Sequence, residues 1–254
     1  MTGITTNYIF MVFLVFCRLG ACLMLLPGLG GGRVPQNIRL FLAIALAIAI
    51  SPLLSGDLEK SIQAAAANPL AAIATETALG LLIGFLIRAL FLALEFAAIA
   101  IGHFVGFGSV FSMAIDGHDA ASPIAAVITL PAMALFFILD QHLQVIYLLQ
   151  KSYGSLPLAS LMDFELSLRT VLLTLESSFK MALQICAPLL IYSLSINVLF
   201  GVLNKMVPQI PAYFISAPFV MMGGLIILYL LVGPMLLEFA AVLEQSLTRL
   251  GLGE

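Results

Sequence analysis

The sequence predicts an all-α membrane protein: about six hydrophobic helical segments with broken, Gly/Pro-interrupted hairpins. Of its 254 residues, 62% are hydrophobic and only 9% are charged. A water-soluble domain carries about a quarter charged residues, so this chain lacks the polar surface to face water all round. Its apolar residues gather in runs of membrane-spanning length, divided by polar or Gly/Pro-rich pieces. The whole chain, 1–254, reads as one integral membrane unit whose surface is covered by lipid or by other subunits.

Residues 8–26 form the first run, with Arg18 in its middle. No Lys or Arg precedes Arg18 and no A-x-A site follows the run directly, so it reads as a retained span and not as a cleavable signal. PGLGGGRVPQN, 27–37, cannot continue a helix and reads as a re-entrant or interfacial loop. Residues 38–54 are the second run and 55–69 a polar connector. Residues 70–101 are apolar almost throughout, about 48 Å as a helix against a bilayer core of about 30 Å. Such a helix either tilts and protrudes or packs mostly against protein. A glycine-rich, then aromatic, then polar stretch at 101–123 follows, then an apolar run at 124–139 and a short one at 143–149. QKSYGSLPLASLMDFELS, 150–167, reads as a second connector. The pattern of 168–200 is a long helix, 201–218 (GVLNKMVPQIPAYFISAP) is a stiff polar elbow, and 219–248 is the last apolar run. Basic residues are too evenly spread to orient the chain.

Gly80-x-x-x-Gly84 and Gly102-x-x-x-Gly106 fit the small-residue spacing that lets helix backbones approach. The buried-charge candidates are Arg18, Arg88, Glu95, Glu176 and Lys180. An ionised group facing lipid is expensive, so each should face protein or water. They read as partners of neighbouring helices in an assembly, with a proton or ion pathway as the alternative. Arg88 and Glu95, seven apart, share a helix face two turns apart. Glu176 and Lys180 have the favourable i, i+4 order, which also suits a solvated helix turn.

Little chemistry is visible. Cys17, Cys22 and Cys186 lie in apolar runs and read as small buried hydrophobes. His103, His118 and His142 lack metal-ligand spacing, and Asp-Gly-His-Asp at 116–119 reads as a polar turn. No GxSxG, HExxH or P-loop occurs, so neither an enzyme nor a cofactor is indicated. No basic patch suggests nucleic acid. Gly/Pro breaks at mid-run would also suit a secondary transporter of a small solute or ion, the alternative reading.

Three blocks of the chain resemble the FliR-type subunit of the flagellar and injectisome type III export gate. The first is FCRLGACLMLLPGLGGGRVPQNIRLFLAIALAIAISPLL, with its arginine, glycine loop, Val-Pro and closing Ser-Pro. The second is AAIAIGHFVGFGSVFSMAIDG, leading to LDQHLQVIYLLQKSYGSLP. The third is GVLNKMVPQIPAYFISAP, with Gly-x-Leu-Asn-Lys and Pro-Gln. The resemblance runs the whole length and implies a helical channel. In it this chain would sit with small FliP- and FliQ-like hydrophobic subunits and a FlhB-like switch subunit, passing unfolded protein substrates across the bacterial inner membrane at the flagellar basal body. It also implies two parts: about 1–165, similar to one gate partner, and about 166–254, a helical hairpin similar to the other. A pore plug loop would comprise Gly106, Phe107, Gly108, Phe111 and Met113, glycines for bending and bulky side chains for a seal. A docking elbow would comprise Asn204, Lys205, Pro208, Gln209 and Pro211, with Pro218 adding to the bend.

Overall fold

The computed structural model describes residues 2–30, 34–54, 65, 68–107, 123–155, 164–207 and 212–252. Among these, the chain is helical and without strands: α1 (Thr2–Leu25), α2 (Gln36–Ile50) with a 3-10 turn (Ser51–Leu54), α3 (Pro69–Phe104), α4 (Pro123–Ile138), α5 (Gln141–Ser155), α6 (Phe164–Met206) and α7 (Ala212–Leu252). Five helices are long and apolar enough to cross a membrane, or up to six spans if α4 and α5 form one broken span. It is an all-α membrane protein.

Local sequence explains the breaks. After α1, Pro27 and Gly28 (φ 85) turn the chain, and the Gly30 N–H donates to the Leu26 carbonyl at 2.6 Å. A Cβ at Gly30 would overlap the Met24 carbonyl, so the turn admits only glycine there. Arg39 of α2 reaches back to the Gly30 carbonyl at 3.3 Å and ties the loop to the next helix. Proline fills the cap position of α2 at Pro35 and ends its regular winding at Pro52. Asp140, at φ 54, separates α4 from α5, and its carbonyl accepts the N–H groups of Leu143 and Gln144 as α5 begins.

Four prolines sit inside helices: Pro131 in α4, Pro188 in α6, Pro218 and Pro234 in α7. Apolar surroundings and neighbouring helices tolerate this, because the freed carbonyls find other donors. Pro218, expected in the elbow, therefore belongs to α7. The second connector is also shorter than expected. α5 runs on to Ser155 and α6 begins at Phe164, so only the middle of 150–167 lies outside the described residues.

The helices contribute to two compact units that alternate along the chain. The first comprises Met1–Leu90, Phe137–Leu175 and Leu243–Glu254; the second comprises Phe91–Phe136 and Glu176–Val242. The first unit buries Leu14, Val15, Leu19 and Cys22 of α1 with Leu86, Ile87 and Leu90 of α3. Ala43, Ala47 and Ile50 of α2 supply a buried stripe at helical spacing. In the second unit Phe91 meets Phe136 and Phe239 edge-on, with ring centroids 5.6 and 4.9 Å apart. The expected division near residue 165 is one of likeness to partner chains, not of packing; α6 starts there, at Phe164.

Burial is uneven. In the apolar window of α3, 56% of residues are buried within the chain, against 22% in α6 and 17% in α7. The last two helices thus form a hairpin with most of its apolar surface bare.

Candidate functional site: a buried charge cluster and the end of helix α3

α1 and α3 meet through glycine. A Cβ at Gly80 would overlap the Arg18 carbonyl, and one at Gly84 would stand 2.9 Å from the Cys22 carbonyl. Positions 18 and 22 of α1 thus face 80 and 84 of α3 in the same chain direction, and the backbones touch with no side chain between them. Side chains on helices lean toward the N-terminus, so Arg18 reaches one turn back along α3, to Glu76.

The contact is a two-pronged ion pair. Arg18 Nε donates to Glu76 Oε2 at 2.7 Å and Nη2 to Oε1 at 3.0 Å. Both side chains are 0% exposed. Arg18 Nη1 donates to Ser152 Oγ at 2.9 Å, and Ser152 in turn donates to the Leu149 carbonyl at 2.6 Å. The guanidinium lies 4.0 Å above the Tyr153 ring. α5 therefore closes the cluster from a third side with a hydroxyl and an aromatic face. A planar, delocalised cation is the side chain that uses all these contacts at once; lysine would not. Among the described residues no group of acids, histidines and cysteines is placed to hold a metal ion, and the cluster fixes the register of three helices.

The remaining charge candidates are not buried within this chain. Arg88 is half-buried, whereas Glu95, Glu176 and Lys180 are exposed. The last three sit on helix faces that this chain does not cover, so of the five candidates Arg18 alone lies in the chain's own core. Sequence reasoning does not single out Glu76, Ser152 or Tyr153 as its partners. Glu76, Gly80 and Gly84 share one helix face at four-residue spacing, so Glu76 comes to α1 once the two glycines are seen to meet it. Ser152 and Tyr153 look like connector residues because QKSYGS is polar in composition. The three cysteines are free thiols, Cys22 and Cys186 buried and Cys17 half-buried.

The plug candidates divide. α3 ends at Phe104, the Val105 N–H still donates to the Ile101 carbonyl, and Gly106 turns the chain at φ 88. Phe107 is half-buried; Gly108, Phe111 and Met113 lie outside the described residues. The turn rests on α7: a Cβ at Gly224 would stand 2.9 Å from Val105 Cγ1, and one at Gly106 would stand 3.4 Å from Met221 Cγ. Of the elbow, Asn204 and Lys205 form the exposed last turn of α6, and Pro208, Gln209 and Pro211 lie outside the described residues. α6 ends at Met206 and α7 begins at Ala212. His103 is exposed in the last turn of α3, His142 packs its ring 5.2 Å from Phe137, and His118 lies outside the described residues.

Comparison with known proteins adds a consistent picture. A family described as bacterial export proteins, family 1, matches residues 9–246. The flagellar biosynthetic protein FliR of Caulobacter vibrioides is 26% identical over 228 residues, covering 89% of this chain and 90% of that protein. FliR of Aquifex aeolicus is 28% identical over 228 residues, covering 88% and 86%. FliR of Escherichia coli is 26% identical over 223 residues, covering 86% and 83%.

Proposed function

Since this chain belongs to family 1 of the bacterial export proteins and is of the FliR type, we propose that it is a core channel-forming subunit of the flagellar type III protein export gate. In this reading it passes unfolded substrates across the bacterial inner membrane at the flagellar basal body. FliP- and FliQ-like hydrophobic subunits and a FlhB-like switch subunit surround it, and it performs no chemistry of its own.

One observation carries the reading: the bare hairpin. With 43 and 41 residues, α6 and α7 are each about 60 Å long or more, twice the hydrocarbon thickness of a bilayer. The charge-free part of α6, 181–204, is about 36 Å and can span. Beyond it, Leu168, Leu172, Leu173 and Phe179 are exposed among Arg169, Glu176 and Lys180. Lipid tails cannot cover apolar side chains interleaved with charges; another protein surface can. An unaccompanied solute carrier would have no use for such a face.

Purification from membranes in mild detergent tests this directly. The expected product is a complex of this chain with several copies of small hydrophobic partners. Recovery as a monomer that moves a small solute unaided would overturn the proposal and favour a transporter. The plug assignment has its own test. Replacing Phe107, Phe111 and Met113 by alanine, or deleting 107–113, should raise ion leakage through the assembled complex, because a bulky apolar constriction excludes ions by dewetting. Unchanged conductance across the membrane would remove the plug from these residues.

A further inference from the structure

The middle of the α6–α7 hairpin holds a polar contact that neither the charge cluster nor the plug assignment uses. The Tyr192 hydroxyl of α6 donates to the Phe219 carbonyl of α7 at 2.8 Å. Tyr192 and Gly223 lie near the centres of the charge-free stretches 181–204 and 212–237. The bond ties the two helices together across the hairpin.

Two adjacent glycines shape both sides of this contact. A Cβ at Gly223 would overlap the Tyr192 hydroxyl and stand 2.7 Å from its ring carbon Cζ. A Cβ at Gly224 would press on Val105, which ends α3, at 2.9 and 3.0 Å from its two methyl groups. One glycine therefore receives α6, and the next receives the end of α3. Pro218, one residue before Phe219, lacks the N–H that would tie it to the preceding turn, so the ladder of α7 misses one bond just before the tyrosine contact. The Phe200 and Phe219 rings, 6.3 Å apart, flank the same spot.

We infer that Tyr192 is a positioning residue. Its hydroxyl pegs the Pro218–Gly224 stretch of α7, and through Gly224 that stretch seats Val105 and Gly106, where the residues assigned to the plug begin. Loosening the peg lets the end of α3 shift and raises leakage through the assembled complex. The consequence for leakage rests on the gate reading; the contact itself does not.

The experiment uses the whole membrane complex carrying Tyr192→Phe, Gly223→Ala, Gly223→Ala with Tyr192→Leu, or the 107–113 deletion as a control. Tyr192→Phe keeps the ring, so complex yield stays at the wild-type level while ion leakage rises roughly threefold to tenfold, the effect of one interhelical hydrogen bond on a two-state population. Gly223→Ala lowers complex yield, and Tyr192→Leu in the same chain recovers it by removing the ring end that the new methyl strikes. Failure of that recovery overturns the contact. A leaking deletion control beside a tight Tyr192→Phe complex overturns the positioning role and leaves the gate intact. If neither leaks, the gate reading falls and takes the role of Tyr192 with it.

Discussion

Replacing Glu76 by alanine is expected to strip this protein from membranes as a folded species. The substitution takes the carboxylate from a fully buried Arg18 guanidinium, and the Ser152 hydroxyl and Tyr153 ring that also contact it carry no compensating charge. Removing one partner of a buried ion pair costs about 3–5 kcal/mol. The margin of a folded domain is about 5–15 kcal/mol, so the loss is a large part of what holds the protein together. Arg18→Ala should be comparably damaging. Glu76→Asp should fall between, because the shorter side chain cannot keep both oxygens on the guanidinium. The double replacement Arg18→Met with Glu76→Leu should recover much of the loss, since well-packed apolar groups often match or exceed a buried pair. The measurements are protein level in membranes and thermal unfolding of the detergent-solubilised complex. Wild-type behaviour of Glu76→Ala would show that the pair does not hold α1 to α3.

Of the two glycines at which α3 meets α1, Gly80 should be the more sensitive. Alanine there meets backbone, the Arg18 carbonyl, together with the Ala21 methyl at 3.0 Å. Neither obstacle is a flexible side-chain end, so the helices must separate, and overpacking of this kind costs about 1–3 kcal/mol. The separation also draws Glu76, one turn away on the same face, off Arg18, adding part of the cost of the broken pair. Gly84→Ala should cost less, because its nearest contact is at 2.9 Å. A methyl at Gly154 or Gly233 would meet nothing within 4 Å, and alanine at either should be neutral or slightly stabilising through helix propensity. The expected order of melting temperature is therefore Gly154→Ala and Gly233→Ala highest, then Gly84→Ala, then Gly80→Ala. An inverted order would remove the close backbone approach from the account.

These two effects also mark what is legible in one dimension. Arg18 is visible as a cation in an apolar run, and Gly80 and Gly84 as a helix contact, because each is a local pattern in one segment. Their connection is not visible. Several acids lie in or beside apolar runs, and any of them is chemically able to meet an arginine. The polar look of Ser152 and Tyr153 points away from the core, although a buried cation draws such groups inward. Glu95, Glu176 and Lys180 illustrate the converse. Position in an apolar run suggests burial, yet these side chains lie on faces that this chain leaves open. At the elbow, prolines argue for a break, but Pro218 sits within α7, where neighbouring helices make a missing N–H tolerable.

Taken alone, the sequence determined the membrane class, the helical segments and most of the places where winding stops. These follow from composition, run length, and glycine and proline chemistry, all properties of neighbouring residues in the chain. Tertiary structure alone decided which acid meets Arg18, which helices cover which faces, and that Tyr192 meets α7 beside the seat of Val105. Those outcomes depend on distances between residues 27 to 134 positions apart, which one-dimensional periodicity does not encode.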